Sequence, residues 1–302
     1  MNPRIALITD DPGWHGARLR EAFAVRGWEV CVVSLCDCAI DLTRTRHGLL
    51  VPGFEDDLPD GVFVRGVPGG TLEQVVLYLD MLHALRALGI PVYNSGRAIE
   101  RSVDKGMTSL LLHQAGIPVP RTWVISNRDQ AQAIWARERA DGHRLLVKPL
   151  FGSQGLGITR LSVNDALPPL EDYQGVYYLQ HFIEGSSHDW RVFVINGKAV
   201  ASMQRHGNHW VNNVAQGATC IAAPYDVELE TLAESAVDEL AMDYAGVDLM
   251  RDASGLLHVI EVNSIPAWKG LQAACGVDIA GHLVEDFFAR YLLQRRVRAV
   301  GL

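Results

Sequence analysis

Val247-Asp248-Leu249-Met250, then Asp252-Ala253-Ser254-Gly255, then His258-Val259-Ile260-Glu261-Val262-Asn263 form the stretch on which the reading of this chain turns. Two apolar, β-branched-rich runs flank a group of turn residues, which reads as a β-hairpin. With the turn centred near Ser254 and Gly255, Asp248 falls roughly opposite Glu261. Side chains two apart on a strand share a face, so Glu261 and Asn263 point the same way. Three oxygen donors then converge from two adjacent strands. Magnesium takes hard oxygen ligands, one or two carboxylates together with the phosphates of a substrate. A nucleoside triphosphate is therefore the candidate ligand. On this stretch alone, a solvated hairpin face carrying acids by chance stands level with that reading, and the rest of the chain decides.

A length of 302 residues suits two or three structural units. Apolar residues at 48% and charged residues at 21% describe a globular chain rather than a disordered one. The net charge of −8 argues against a nucleic-acid-binding surface, while leaving room for the few Lys and Arg of a phosphate pocket. No apolar run reaches membrane-spanning length and the start lacks a signal-peptide pattern, so a cytoplasmic protein with no membrane partner is expected. The cysteines, at 31, 36, 38, 220 and 275, are scattered and odd in number, which reads as reduced thiols. Cys36-Asp37-Cys38 has no second pair at zinc-ribbon spacing, so no structural zinc is expected there.

In the N-terminal third, Arg4–Thr9 reads as a buried strand ending in a loop, Asp10-Asp11-Pro12-Gly13. A helix over Ala17–Arg26, strands at Val30–Leu35 and Val62–Arg65, a helix over Leu72–Leu88 and a strand at Gly89–Asn94 follow. Strands alternating with helices predict a parallel sheet covered on both faces, with any ligand beyond the carboxyl ends of the strands. Asp10, Asp11, Arg65 and Asn94 lie at those ends, although loop or capping roles account more readily for each. Arg65 is the strongest candidate, because an Arg directly after a buried strand is poorly placed for packing. No GxGxxG follows the first strand and no GxxxxGK[ST] occurs, which excludes the dinucleotide and Walker-type patterns.

In the middle, a helix is expected from Ser102 to about Ala115, a strand at Thr122–Ile125 and an amphipathic helix at Asn127–Arg139. Leu145-Leu146-Val147-Lys148 then places a lysine in an apolar strand, where an unpaired ammonium is costly and needs an anion. Directly after it, Gly152-Ser153-Gln154-Gly155-Leu156-Gly157 offers backbone N–H groups that can close over phosphate oxygens. Tyr177–Gly185 reads as a strand running into a bend, able to present backbone groups to a purine and an acid to a ribose.

The strand lysine, the glycine loop, the Gln180-His181-Phe182-Ile183-Glu184 segment and the distal Asp…Glu-x-Asn hairpin, in this order, resemble the ATP-grasp superfamily. Asp104-Lys105, Asp189-Trp190-Arg191, Asn213–Ala218 and Glu261-Val262-Asn263-Ser264 narrow the resemblance to the RimK-like glutamate ligases. It implies an N-terminal parallel-sheet α/β domain (1–97), a central subdomain with a glycine-rich lid (98–178) and a C-terminal subdomain with a magnesium hairpin (179–302). The latter two would be α+β and sandwich the nucleotide. It further implies ATP and two magnesium ions, with manganese as an alternative ion. Lys105, Lys148, Gly152, Ser153, Gln154, Gly155 and Gly157 would grip the phosphates. Gln180, Phe182, Ile183, Glu184 and Asn213 would complete the nucleotide site, with Asp248, Glu261 and Asn263 on the metal. Arg191 and Arg205, on strands Trp190–Ile195 and Lys198–Arg205 joined by Asn196-Gly197, would stabilise an acyl phosphate. Arg65, Asp189, Trp268 and Lys269 are the substrate candidates, and His206, His209 and Trp210 form a polar loop that could touch substrate.

The chain departs from the family pattern at Gln216, where an arginine is usual, and in the Trp268-Lys269 pair, which would suit a flat or anionic acceptor. Both departures bear on the substrate and not on the ATP chemistry. The expected activity is an ATP-dependent carboxylate–amine ligation through an acyl phosphate. It would join L-glutamate or another amino acid to a carboxylate of a small molecule, cofactor or peptide. A pterin acceptor with a different amine, a non-catalytic ATP sensor and a phosphotransferase that stops at the acyl phosphate remain as alternatives. The last amphipathic helix is expected at Leu283–Leu293, followed by the basic Arg295-Arg296-Val297-Arg298, with a homo-oligomer compatible with this layout.

Overall fold

A computed structural model describes residues 3–43, 46–152, 155–184, 188–207 and 219–292. Along the chain these form β1 (Arg4–Ile8), α1 (Gly13–Val25), β2 (Glu29–Val33), β3 (Ala39–Ile40), β4 (Leu49–Leu50), β5 (Gly61–Val64), α2 (Leu72–Ala87), β6 (Val92–Tyr93), α3 (Gly96–Val103) and α4 (Lys105–Gln114). There follow β7 (Thr122–Ile125), α5 (Arg128–Ala140), β8 (Leu145–Lys148), β9 (Thr159–Leu161), β10 (Tyr177–His181), β11 (Asp189–Ile195), β12 (Lys198–His206) and β13 (Thr219–Ala222). The chain continues through α6 (Val227–Glu239), β14 (Tyr244–Arg251), β15 (Leu257–Asn263), α7 (Lys269–Cys275) and α8 (Ile279–Phe287). None of the described helices is long and apolar enough to cross a membrane.

The chain divides into two compact units, the first made of residues 1–99, 242–244 and 264–302. Its sheet has the order β2-β1-β5-β6 and is parallel throughout, as the alternation of strands and helices predicts. Ile5, Ala6, Leu7 and Ile8 are all buried because the central strand of such a sheet is covered on both faces. α1 starts at Gly13 rather than Ala17: Pro12 sits at its N-cap with φ −63° and ψ −37°, so a ring already set for helix extends it backwards over the expected loop. Thr71 and Gln74 form a capping box that fixes the start of α2. The final helix also starts earlier than its periodicity suggests, because Asp278 caps it by accepting from Gly281 N at 3.1 Å. Phe287 packs edge-on against Phe23 and Phe63, and Tyr93 Oη donates to Asp286 at 2.7 Å, so the C-terminal helix belongs to the core of this unit. Asn94, at the carboxyl end of β6, is fully buried and structural. Its Nδ2 donates to Tyr244 O (2.7 Å) and Ser264 O (2.9 Å), and its Oδ1 accepts from Asp243 N at 2.6 Å.

The second unit, residues 100–241 and 245–263, contains two antiparallel sheets. One has the order β7-β10-β8-β9, with α5 packing Ala131 and Trp135 against Leu145, Val147, Tyr177 and Leu179. The other has the order β13-β12-β11-β14-β15. The single helix expected from Ser102 is two: α3 ends at Val103, and extended Asp104 caps α4 by accepting from Met107 N at 3.0 Å. Asn196 (φ 50°) and Gly197 (φ 67°) take the left-handed pair of a tight hairpin turn and set the register of β11 against β12. In the hairpin of β14 and β15, Asp248 stands directly opposite Glu261, the register read from the sequence, with a bulge between Asp248 and Leu249. Asp252 closes that turn by accepting from Ser254 N (2.9 Å) and Leu256 N (3.1 Å).

Candidate active site

Lys148 ends β8 with its side chain buried, and Nζ donates to Gln180 Oε1 on the neighbouring β10 at 2.7 Å. Gln180 is held in turn: its Nε2 donates to Thr122 Oγ1 (3.1 Å) and to Tyr178 Oη (2.9 Å), and Tyr178 Oη lies 2.8 Å from Ser109 Oγ. Burial pulls the Lys148 ammonium down to about 8, opposed by the negative charge of Glu261. Lys105, at the first position of α4, donates Nζ to Leu150 O (3.2 Å) and Gly152 O (2.9 Å), carbonyls at the start of the glycine loop. Burial lowers this lysine too, again against Glu261. Lys105, Lys148, Pro149, Gly152, Gly155, Ile158, Ile260 and Glu261 line one small cavity. The glycines are required there. Gly155 and Gly157 both have φ 73°, and a Cβ on Gly157 would come within 2.9 Å of Pro149 Cγ.

On β11, β12 and β14 the acids and arginines form a closed cluster. Arg191 grips Asp248 through two hydrogen bonds of 2.7 Å, Nε to Oδ1 and Nη2 to Oδ2. Arg205 Nη2 meets Asp248 Oδ2 at 2.9 Å while its Nε donates to Asp189 Oδ1 at 2.6 Å. Against the upward push of burial, the two guanidiniums hold the Asp248 carboxyl below its usual range. Burial prevails at Asp189 and raises it despite Arg205. The neighbouring Glu261 behaves differently: among the described residues its carboxylate makes no hydrogen bond or ion pair, and its charge is felt by Lys105 and Lys148. Asn263 buries its Nδ2 without an acceptor, and its amide oxygen is a hard donor of the kind magnesium takes. A free carboxylate, an unsatisfied amide and a carboxylate oriented by arginines are an all-oxygen donor set that fits magnesium.

Phe182 and Ile183 follow β10 half-buried, with Arg160 stacked on the Phe182 ring at 5.3 Å, and exposed Glu184 lies 3.5 Å from Arg144 Nε. In the first unit, Arg65 stacks on Trp268 at 5.0 Å and donates Nη1 to Ile265 O at 3.3 Å, with its Nε lacking a hydrogen-bond partner. Trp268 is fully buried, and its backbone N–H donates to His15 Nε2 at 3.1 Å, whereas Lys269 is exposed at the start of α7. Ser153, Gln154, His209, Trp210, Asn213, Gln216 and the basic tail from Arg295 lie outside the described residues. His206 lies inside them, its Nε2 3.1 Å from Gln204 Oε1. Sequence reading missed Tyr178 and Thr122, which hold the glutamine that holds Lys148, and Ser109, which bonds Tyr178; alternation along β10 could have paired Tyr178 with Gln180 on one face.

Two antiparallel sheets, a strand lysine under a glycine loop and an acid hairpin define an ATP-grasp ligase, an enzyme class that joins its substrates through a C–N bond. The RimK-like ATP-grasp domain matches residues 102–287, and the chain belongs to that family. It is similar to a tetrahydromethanopterin:alpha-L-glutamate ligase of Methanosarcina acetivorans, 28% identical with 92% of this chain and 96% of that one covered. A probable alpha-L-glutamate ligase of Aliivibrio fischeri is 30% identical over 94% of each chain. Among solved structures, the ATP-grasp ligase PsnB complexed with a minimal precursor superposes with a TM-score of 0.74 at 20% identity, covering 96% of this chain and 99% of that one. ATP and magnesium are the cofactors this family fold implies.

Proposed function

We propose that the protein activates a carboxylate with ATP and joins it to the amine of an amino acid, L-glutamate first among them. The observation that carries this reading is the convergence of Lys105, Lys148 and Glu261 on one cavity beneath the glycine loop. A triphosphate would replace the Leu150 and Gly152 carbonyls on Lys105 and return Lys148 to full charge. Gly152, Gly155 and Gly157, with Ser153 and Gln154 between them, would close over the terminal phosphate and exclude water that would hydrolyse an activated acid. The β10 linker from Gln180 through Phe182, Ile183 and Glu184, with Asn213, would seat the nucleoside. Residues 98–178 and 179–302 would thus supply the two halves of the grip.

The carboxylate would attack the γ-phosphorus with loss of ADP to give an acyl phosphate; the amine, in its neutral form, would then add to the carbonyl carbon, and its proton would leave with inorganic phosphate. Asp248, Glu261 and Asn263 would hold two magnesium ions, or manganese, which when bound neutralise phosphate charge. Arg191 and Arg205 would stabilise the acyl-phosphate oxygens, a role supported by guanidiniums already held by Asp248 and Asp189. Asp189 would meet the ammonium of the incoming amino acid. Arg65 over Trp268, with Lys269, would take an anionic group of the acceptor.

A cofactor acceptor of pterin type is the second reading, supported by the name of the Methanosarcina relative. The free thiols at Cys31, Cys36, Cys38, Cys220 and Cys275 support work in the cytoplasm. The test is to supply ATP, magnesium, L-glutamate and a panel of carboxylic acids and follow phosphate release and product mass. A product heavier by one glutamate residue is expected, whereas phosphate release without ligation would favour a phosphotransferase.

A further inference from the structure

Glu138, His143 and His181 form a second cluster that shares no residue with the site above. On α5, Ala131, Trp135 and Glu138 recur at helical spacing on the buried face, so a carboxylate occupies the core stripe of an amphipathic helix. Acids are rarely buried this deeply unless they are paired or bind a metal. The Glu138 side chain is 3% exposed and that of His143 is 43% exposed, so the cluster is anchored inside and opens to solvent on one side. His143 is delivered by the turn that ends the helix, its N donating to Glu138 O at 2.9 Å, and His181 by the end of β10.

Arg137 occupies Oε1 of Glu138, through Nε at 2.9 Å and Nη2 at 2.7 Å. The other oxygen, Oε2, faces two imidazole nitrogens: His181 Nε2 at 2.8 Å and His143 Nδ1 at 3.2 Å. The three atoms all lie within 4.8 Å of one another. A tetrahedral ion with bonds of about 2.0–2.1 Å sets its ligand atoms about 3.3 Å apart. The Glu138–His143 separation already matches, and the Glu138–His181 separation needs to open only slightly. Arg137 plays the outer role that fixes a one-oxygen carboxylate ligand, and its own side chain is 57% exposed, so solvent screens its charge from the ion.

We propose that Glu138 Oε2, His143 Nδ1 and His181 Nε2 bind one late first-row divalent cation, with zinc the best match and water completing the shell. Two nitrogens and one oxygen suit zinc, cobalt or nickel and not magnesium, so this site is chemically separate from the all-oxygen hairpin. The ion would tie the end of α5 to the end of β10, the strand that carries Gln180.

The test is to strip the full-length protein with a chelator and titrate it with Co²⁺, without nucleotide, following visible d–d absorption. Saturation at one equivalent, displacement by Zn²⁺, and a loss of affinity of at least about tenfold in both His143→Ala and His181→Ala are expected. Glu261→Ala should bind cobalt like the unmodified chain. Zinc should raise the melting temperature of the unmodified chain and not that of His143→Ala, whose half-exposed position leaves its fold intact by circular dichroism. Absence of saturable binding below millimolar Co²⁺ overturns the proposal. Binding that both histidine variants retain overturns it equally, because the ion would then sit elsewhere, for instance at the stacked His188 and His206 rings.

Discussion

Lys148 is where burial and chemistry oppose each other most directly. Its ammonium is enclosed, bonded to one neutral amide and pulled down to about 8, from an ordinary value of 10.5. The sign of the consequence follows from that depression. Between about 8 and 10.5 the unfolded chain holds a proton that the folded chain has released, so this residue makes the fold more stable as pH rises through the window. Nucleotide affinity runs the opposite way, because phosphates prefer the ammonium. Affinity for ATP should fall as pH climbs through about 8, and binding at that pH should take up protons, read by calorimetry in buffers of differing ionisation enthalpy. Identical heats in all buffers would contradict the assignment. Lys148→Met should weaken ATP by about 10- to 100-fold, the worth of one charge-assisted hydrogen bond at roughly 1.5–3 kcal/mol.

Among elements, the hairpin of β14 and β15 was legible because alternation and turn chemistry are local. The Asp248–Glu261 register needs only the position of Ser254 and Gly255. The Asn196-Gly197 turn and the strands beside it were legible for the same reason. α1 was misplaced at its start because Pro12, a loop residue by composition, was already set for helix. The break between α3 and α4 escaped because Asp104 caps a helix that follows another with a single residue between them. The β11–β12 turn carries a prediction of its own. Gly197→Ala would force a Cβ into the left-handed region and within 2.9 Å of Asp238 Oδ1. A loss of about 1–2 kcal/mol in denaturant unfolding is expected, with nucleotide turnover falling as Arg191 and Arg205 lose their mutual register.

Across the whole molecule, what the sequence hid were the long-range choices. Asn94, a candidate ligand residue by its place after a strand, instead satisfies four backbone groups from residues 243, 244 and 264. No spacing within ten residues announces that partnership. Asn94→Ala should therefore cost about 2–4 kcal/mol of stability by leaving buried donors and acceptors unmet, seen as a fall in melting temperature. Retention of full stability would show that the 242–244 strand end does not depend on it. Trp268 likewise reads, beside Lys269, as a substrate candidate for a flat or anionic acceptor, and it is fully buried, with Arg65 stacked on its ring. The proposed ATP half of the site was readable as a pattern because phosphate chemistry asks for lysine, glycine and oxygen donors in a fixed order. The acceptor half was not, since any cation or aromatic serves.

Glu261, on the function proposed above, serves a metal-dependent acyl-phosphate step and not the fold. The most direct test of this role is hydroxylamine trapping with ATP, magnesium and a carboxylic acid substrate, run on the unmodified chain and on Glu261→Ala. Hydroxamate is expected from the unmodified chain and at least about 100-fold less from a Glu261→Ala protein of unchanged melting temperature. Equal hydroxamate from both, or none from the unmodified chain while it still ligates, would contradict the account.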